Sequence, residues 1–208
     1  MNTFAANFNV NPNCVRVAVI IYADSPQASI TLGSYGDINS LQNAVRSLRL
    51  INGNSNLASA LQLLRNVVFA SNVIRPGARR VAAIVTDNQR SCDALLVSEA
   101  NTLRSMGVVI FGVAVTFRGS GVVNTVCLRN QVVTSSQLIE VPNYDQLNNY
   151  VSRAVSYVCA TPVCKFFFLL YTRCAADHKV NCNIGLHCVS KMFTLLIFVI
   201  TRINVDRF

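Results

Sequence analysis

The stretch RRVAAIVTDNQRSCD, residues 79–93, holds the carboxylate with the most chemical potential in the chain. Val81 to Val85 is a continuous apolar run of the kind shown by a strand buried on both faces, and it ends abruptly at Thr86 and Asp87. In open α/β sheets ligands bind beyond the carboxyl ends of the strands, which leaves Asp87 three readings: a metal ligand, a catalytic acid, or the polar rim where the strand surfaces. Triad-type catalysis needs a base. The two histidines, His178 and His187, both lie in a compositionally distinct tail, and no Gly-x-Ser-x-Gly elbow is present, so enzymatic activity is not expected. Gly119-Ser-Gly121 mimics the opening of a dinucleotide loop, but the third glycine is missing and the position is not the first βα unit; it reads as a turn. Cys164, Cys174, Cys182 and Cys188 with His178 and His187 offer zinc-type ligands, but at irregular spacings and without a Cys-x-x-Cys knuckle. Coincidence is the simpler account.

Composition narrows the class. A chain of 208 residues with 52% hydrophobic content suits one domain of ordinary size, with material left for an appendage, and excludes a disordered or low-complexity class. The net charge of +9 would suit an anionic partner, but up to Cys164 the basic residues are arginines scattered among acids. Only Arg46/Arg49 and Arg79/Arg80 are local clusters, so solvated faces are expected and no nucleic-acid surface. Composition breaks at Cys164: the remainder carries all three lysines, both histidines and six of the eleven phenylalanines, and shows no helix or strand period matching what precedes it. Its apolar runs, Phe166 to Tyr171 and Met192 to Ile200, fall short of the roughly 20 residues that a membrane-spanning helix needs. The expected division is therefore a domain over residues 1–160 and a Cys/Phe-rich tail over 161–208, either unstructured or non-native. The start lacks the basic and long apolar regions of a signal peptide, whereas eight cysteines, an even number, favour an oxidising compartment. The two observations conflict unless the N-terminus is incomplete.

The elements that would position Asp87 alternate. Val15 to Tyr22 reads as a strand, with Gln27 to Leu32 as an antiparallel hairpin partner across the short Ala23-Asp-Ser-Pro link. Asp37 is an N-cap for a helix from Ile38 to about Leu50, with Leu41, Val45 and Leu48 on one face. After the turn cluster INGNSN, a second helix is expected from Leu57 to Val73, with Leu57, Leu61, Leu64 and Val68 aligned, and Pro76-Gly77 ends it. The strand 80–86 is followed by a helix from Asp93 to Met106 capped by Gly107, a buried strand Val108 to Thr116, and a short helix around Val122 to Arg129. A short strand Leu138 to Val141 comes next, and Asn143 with Gln146 resembles a capping box opening a last helix that aligns Leu147, Val151, Ala154 and Val158. Such alternation predicts a mostly parallel sheet with helices on both sides.

The turn GNSNLASAL at 53–61, the VTDNQ at 85–89 and the order of elements resemble the von Willebrand factor A (vWA) family over about residues 1–160. The resemblance implies an α/β fold, a three-layer αβα sandwich around a mostly parallel, doubly wound sheet. It also implies a divalent-ion adhesion site (MIDAS) at the carboxyl edge, held by an Asp-x-Ser-x-Ser after the first strand, a threonine in Gly-x-Thr-x-Thr-Gly-x-Ala-Leu, and the aspartate of Thr-Asp-Gly. Thr86-Asp87 matches the third motif, with Asn88 in place of glycine. Ser55 stands at the threonine position of the second, Leu57 and Ala58 replace its Thr-Gly, and Ala60-Leu61 fit. The first motif is absent: NTFAANFNVNPNCVRVAV resembles the family's first helix, so the central strand before it is expected to be missing. The flanking strands, Val15 to Tyr22 and Val81 to Thr86, would then either close up or leave a gap, and the polypeptide alone would be aggregation-prone.

On that resemblance the metal candidates are Asp87 and Ser55, an incomplete set for Mg²⁺, which takes about six oxygens; the alternative is that Asp87 only terminates its strand and caps nearby donors. The expected binding edge comprises Asn54, Ser55, Asn88, Arg90 and Ser91. The implied function is non-enzymatic adhesion outside the cell, with collagen or another matrix protein as partner. A membrane-associated form anchored by the tail, or an intracellular scaffold with no metal-dependent binding, is the rival; detergent-dependent extraction lost on deleting residues 165–208 would mark the first, and fully reduced cysteines the second. Cys159 ends the last helix and would pair with Cys164 or stay free, while Cys92 and Cys127 both fall just beyond carboxyl strand ends, so a bridge between them is expected.

Overall fold

Strand β1, Val15–Tyr22, has the sequence VRVAVIIY, rich in the β-branched residues that suit a pleated, buried surface. Its side chains alternate: Ala18, Ile20 and Tyr22 enter one apolar cluster, and Val15, Val17, Val19 and Ile21 the other. β3, Arg79–Thr86, and β4, Val109–Val115, divide in the same way, with Ala82, Ile84, Ile110 and Ala114 on the first side and Val81, Ala83, Phe111 and Val113 on the second. Two-faced burial of this kind is what a parallel sheet between two helical layers requires. The computed structural model describes residues 8, 10, 15–49, 53–70, 74–87, 89, 91–116, 123–159 and 194–201.

The helices cover both faces. On one side lie α1, Ile38–Arg46, burying Leu41 and Val45, and α5, Val151–Cys159, burying Ala154, Val155 and Val158. On the other lie α2, Leu57–Leu63, α3, Ala94–Ser105, and the short α4, Thr125–Cys127, whose chain continues as a π turn over Leu128–Val132. Asp37 and Asn143 cap as expected, Asp37 Oδ1 accepting from Ser40 N at 2.9 Å and Asn143 Oδ1 from Gln146 N at 3.0 Å, and Asp93, expected as the first helical residue, is instead a cap whose Oδ1 accepts from Leu96 N at 2.7 Å. Gly107 takes φ +79° just past α3, the left-handed turn that a helix end commonly uses. Two helices are shorter than their periodicity suggests. α1 stops at Arg46, and α2 turns into a π segment over Leu64–Val68, which keeps Leu64 and Val68 buried while ending the α ladder.

The sheet has the order β2-β1-β6-β3-β4-β5, where β2 is Gln27–Ile30, β5 is Leu138–Val141 and β6 is Thr194–Thr201. Only β2 is antiparallel to its neighbour. β6 corrects an expectation. The tail showed no recognisable period, and the sheet was expected to lack a strand between β1 and β3. Instead Thr194–Thr201 runs between them, in register with β1 from Val15↔Thr194 to Tyr22↔Thr201 and with β3 from Arg79↔Thr194 to Val85↔Ile200. The physical reason is backbone satisfaction: two strands facing a gap would leave rows of buried N–H and C=O groups unpaired, and a strand between them pairs both rows. The segment TLLIFVIT is also the sort of unbroken apolar, β-branched run that central parallel strands have. Its apolarity is what made it unreadable, because a short apolar run lacks the alternation that marks a half-buried strand.

Candidate functional site

All the parallel strands point their carboxyl ends to one edge, where Asp87 and Ser91 follow β3 and the turn holding Asn54 and Ser55 is hydrogen-bonded to the end of β1. Asp87 follows directly on β3 and is half-buried. Its Oδ2 accepts the Tyr144 hydroxyl at 2.6 Å, and its Oδ1 is buried with no hydrogen-bond partner. Tyr144 opens a 3₁₀ turn, Tyr144–Tyr150, that follows β5, so it reaches back across β4 to the end of β3. Burial raises its hydroxyl pKa above the ordinary tyrosine range, and the hydrogen bond to Asp87 and that group's negative charge push it further in the same direction.

The sign of the pH effect follows. A tyrosine whose folded pKa is raised contributes its stabilisation fully below the unfolded value of about 10, and loses it as pH climbs from there towards the folded pKa. In an alkaline titration followed by tyrosinate absorbance, Tyr144 should ionise above the ordinary tyrosine range, and Asp87→Asn should bring it earlier. Ionisation of every tyrosine within the ordinary range, unchanged by Asp87→Asn, would contradict the assignment.

Ser55 lies in the turn before α2, where Asp24, a residue the sequence reading treated only as part of a hairpin link, organises the backbone. Asp24 Oδ1 accepts from Asn54 N at 3.0 Å and from Asn54 Nδ2 at 2.9 Å. Asn56 N donates to Ala23 O at 3.0 Å, while Asn56 Oδ1 caps α2 by accepting from Ser59 N at 3.0 Å. The turn is thereby strapped to the end of β1, and Ser55 Oγ between these anchors is buried without a hydrogen-bond partner. Gly53 makes the strap possible: its φ is +139°, and a side-chain carbon added there would collide with the Asp24 carboxylate. Gly53→Ala should therefore cost about 1–3 kcal/mol in denaturant unfolding, and an unchanged midpoint would contradict the strap.

The loop after β3 is pinned from the other direction. Gln89 forms a parallel bridge with Val123, its carbonyl accepts from Asn124 N at 2.6 Å, and its own amide donates to Ser91 O at 2.6 Å. Next to Ser91, Cys92 is joined to Cys127 in a disulfide with Cα atoms 5.9 Å apart, within the usual span for such a bridge. Ser91 and Asn54 are exposed on this edge; Asn88 and Arg90 lie outside the described residues, as do Gly119-Ser-Gly121, Cys164 and the cysteines and histidines beyond it. Beside the disulfide, Leu95 in the first turn of α3 is 51% exposed and Val126 in α4 is 67% exposed. These apolar side chains are held out of the core next to polar loop groups.

Tyr144, Asp24, Gln89, Leu95 and Val126 were not identified as site residues from the sequence. Asp24 carries a signal of the kind that drew attention to Asp87, a carboxylate just after a buried strand; Tyr144 carries none, because its partner is 57 residues away in the chain.

The fold and its edge define a class. A family profile described as the von Willebrand factor type A domain matches residues 1–153, and the chain belongs to that family. Collagen alpha-1(XXI) of Xenopus laevis is 30% identical over 110 residues, 53% of this chain and 11% of that protein. Collagen alpha-6(VI) of Homo sapiens is 25% identical over 169 residues, 79% of this chain and 7% of its own length. Cuticlin-6 of Caenorhabditis elegans is 26% identical over 159 residues, 76% of this chain and 26% of that one. The chain thus spans about a quarter or less of these relatives. Among solved structures, proximal thread matrix protein 1 from the mussel byssus, with its MIDAS motif occupied by zinc, superposes with a TM-score of 0.66 at 22% identity, covering 76% of this chain and 39% of that one. That likeness concerns the fold. A vWA domain shared with collagens supports a role in adhesion or protein interaction.

Proposed function

We propose that this chain is an extracellular, non-enzymatic adhesion domain that binds a matrix protein of the collagen type through the carboxyl edge of its sheet, with an incomplete metal-ion site. The observation that carries the reading is the edge itself. Three loops, after β1, before α2 and after β3, are fixed there by Asp24, the Cys92–Cys127 bridge and the Tyr144 contact, while Ser91, Leu95 and Val126 stand exposed beside them. A rigid polar edge with a few protruding apolar groups is suited to protein recognition, since little order is lost on binding. Kinship with collagens and a cuticlin supports the matrix setting. Among the described residues no helix is long and apolar enough to cross a membrane, and the run at Thr194–Thr201 is engaged in the sheet, which tells against its use as an anchor.

The donor set does not fit a Mg²⁺ site of ordinary affinity. Asp87 Oδ1 and Ser55 Oγ are two buried oxygens without hydrogen-bond partners, as cation ligands would be, but the other Asp87 oxygen is engaged by Tyr144 and Asp24 Oδ1 by Asn54. Among the described residues no three His, Cys, Asp or Glu side chains gather around a common point. A hard cation needs about six oxygens in near-octahedral array.

The test is capture of the full chain on immobilised fibrillar collagen. The double variant Leu95→Glu/Val126→Glu, altered only at exposed positions, should fold normally and lose binding by roughly tenfold or more, the range of a small hot spot. Equal binding by the folded variant would remove this edge as the site, and failure of the wild-type chain to bind would remove the collagen-type partner.

A further inference from the structure

Asp87 is a half-buried carboxylate whose two oxygens are treated differently. Oδ1 is buried without a hydrogen-bond partner, and Oδ2 accepts the hydroxyl of Tyr144. A carboxylate withdrawn from water needs compensation, from a cation or from donors aimed at it. Ser55 Oγ and Gln89 Oε1 are also buried without hydrogen-bond partners, but among the described residues no group of His, Cys, Asp or Glu side chains stands ready to hold a cation. The donor comes instead from the far side of the sheet: Tyr144 follows β5, two strands beyond β3, and its hydroxyl meets the carboxylate at 2.6 Å. The second carboxylate of the edge is also taken internally, since Asp24 Oδ1 receives both the backbone and side-chain N–H of Asn54.

We infer that the Tyr144 hydroxyl takes the place of a divalent cation at Asp87, closing the edge with an internal hydrogen bond so that its loops hold their shape without metal. The inference rests on reading this edge as the binding surface, and it makes Tyr144 a positioning residue that acts through Asp87. A neutral donor satisfies one oxygen of the carboxylate and competes there with any cation. Removing the hydroxyl, with the ring left in place, frees Oδ2 next to an already unpaired Oδ1. The site should then gain affinity for a cation that the wild type ignores.

The experiment is thermal unfolding of the full chain with Mg²⁺ at millimolar concentration against sodium chloride of matched ionic strength. The wild-type midpoint should not move with Mg²⁺. Tyr144→Phe should start lower and be raised by Mg²⁺, and the rise should vanish in Tyr144→Phe/Asp87→Asn. An EDTA-reversible rise in the wild type, or a folded Tyr144→Phe indifferent to Mg²⁺, overturns the inference. Should Tyr144→Phe not fold, Mn²⁺ added to the wild-type chain decides: selective broadening of the Ser55 and Asp87 amide resonances overturns it, and unbroadened resonances support it. No partner enters these measurements, so their failure leaves the adhesion reading standing and is distinguishable from a failure of the collagen assay.

Discussion

Proline at position 197 is expected to abolish the cooperative unfolding transition of this domain. Ile197 lies midway along β6 and pairs with Ala18 of β1 on one side and Ala82 of β3 on the other. Proline removes the N–H from a strand bonded on both sides, and its ring displaces the neighbouring chain, which is why proline is confined to sheet edges and bulges. Each ladder group left buried without a partner costs about 1–3 kcal/mol, and a few of these exhaust a domain stability of roughly 5–15 kcal/mol. Deleting residues 194–201 should do the same by another route, exposing the inner edges of β1 and β3 and producing aggregation. Circular dichroism melts and amide dispersion report both outcomes. A Tm unchanged by Ile197→Pro would show that β6 contributes nothing to the sheet.

The second large effect belongs to the bridge at the edge. Cys92 and Cys127 are 35 residues apart in sequence, and closing a loop of that order stabilises a domain by about 2–5 kcal/mol through the unfolded chain. Cys92→Ser/Cys127→Ser should therefore lower Tm by on the order of 10 °C in a domain of this size. Reductant should lower the wild-type Tm similarly and leave the double variant unmoved. The local consequence is larger than the global one, because the bridge lies between Gln89, held to Asn124, and the exposed pair Leu95 and Val126. Non-reducing peptide mapping in which both thiols prove alkylatable would contradict the bridge.

Much of the fold was legible because it is locally written. β1, β3 and β4 announce themselves as apolar runs, Asp37 and Asn143 as caps, and Gly107 as a helix end. The Cys92–Cys127 bridge was foreseeable once both residues were placed beyond strand ends. What escaped notice depends on distance along the chain. β6 is last in sequence and central in space, and its apolar run, set in a stretch of alien composition, carries no mark of where it inserts. Tyr144 is one of six tyrosines, and nothing in its neighbours points to a carboxylate 57 positions earlier. Asp24 was hidden for a different reason: its role is to bind a turn's backbone, and hairpin links commonly contain aspartate for purely local purposes. Ser55 and Asp87 were found by motif, but the motif says nothing of the hydrogen bonds that now engage Asp87 and the neighbours of Ser55.

The wear in those motifs and the internal partners form one pattern. Where a bound ion would draw the loops together from the centre, here Asp24 straps the turn before α2, the disulfide straps the loop after β3, and Tyr144 ties the region after β5 to the end of β3. An edge organised in this way should bind its partner whether or not divalent ions are present. The most direct test is capture of the full chain on immobilised fibrillar collagen, measured side by side in EDTA and in Mg²⁺. Equal affinity in the two conditions is predicted; binding that disappears in EDTA and returns with Mg²⁺ would contradict the account.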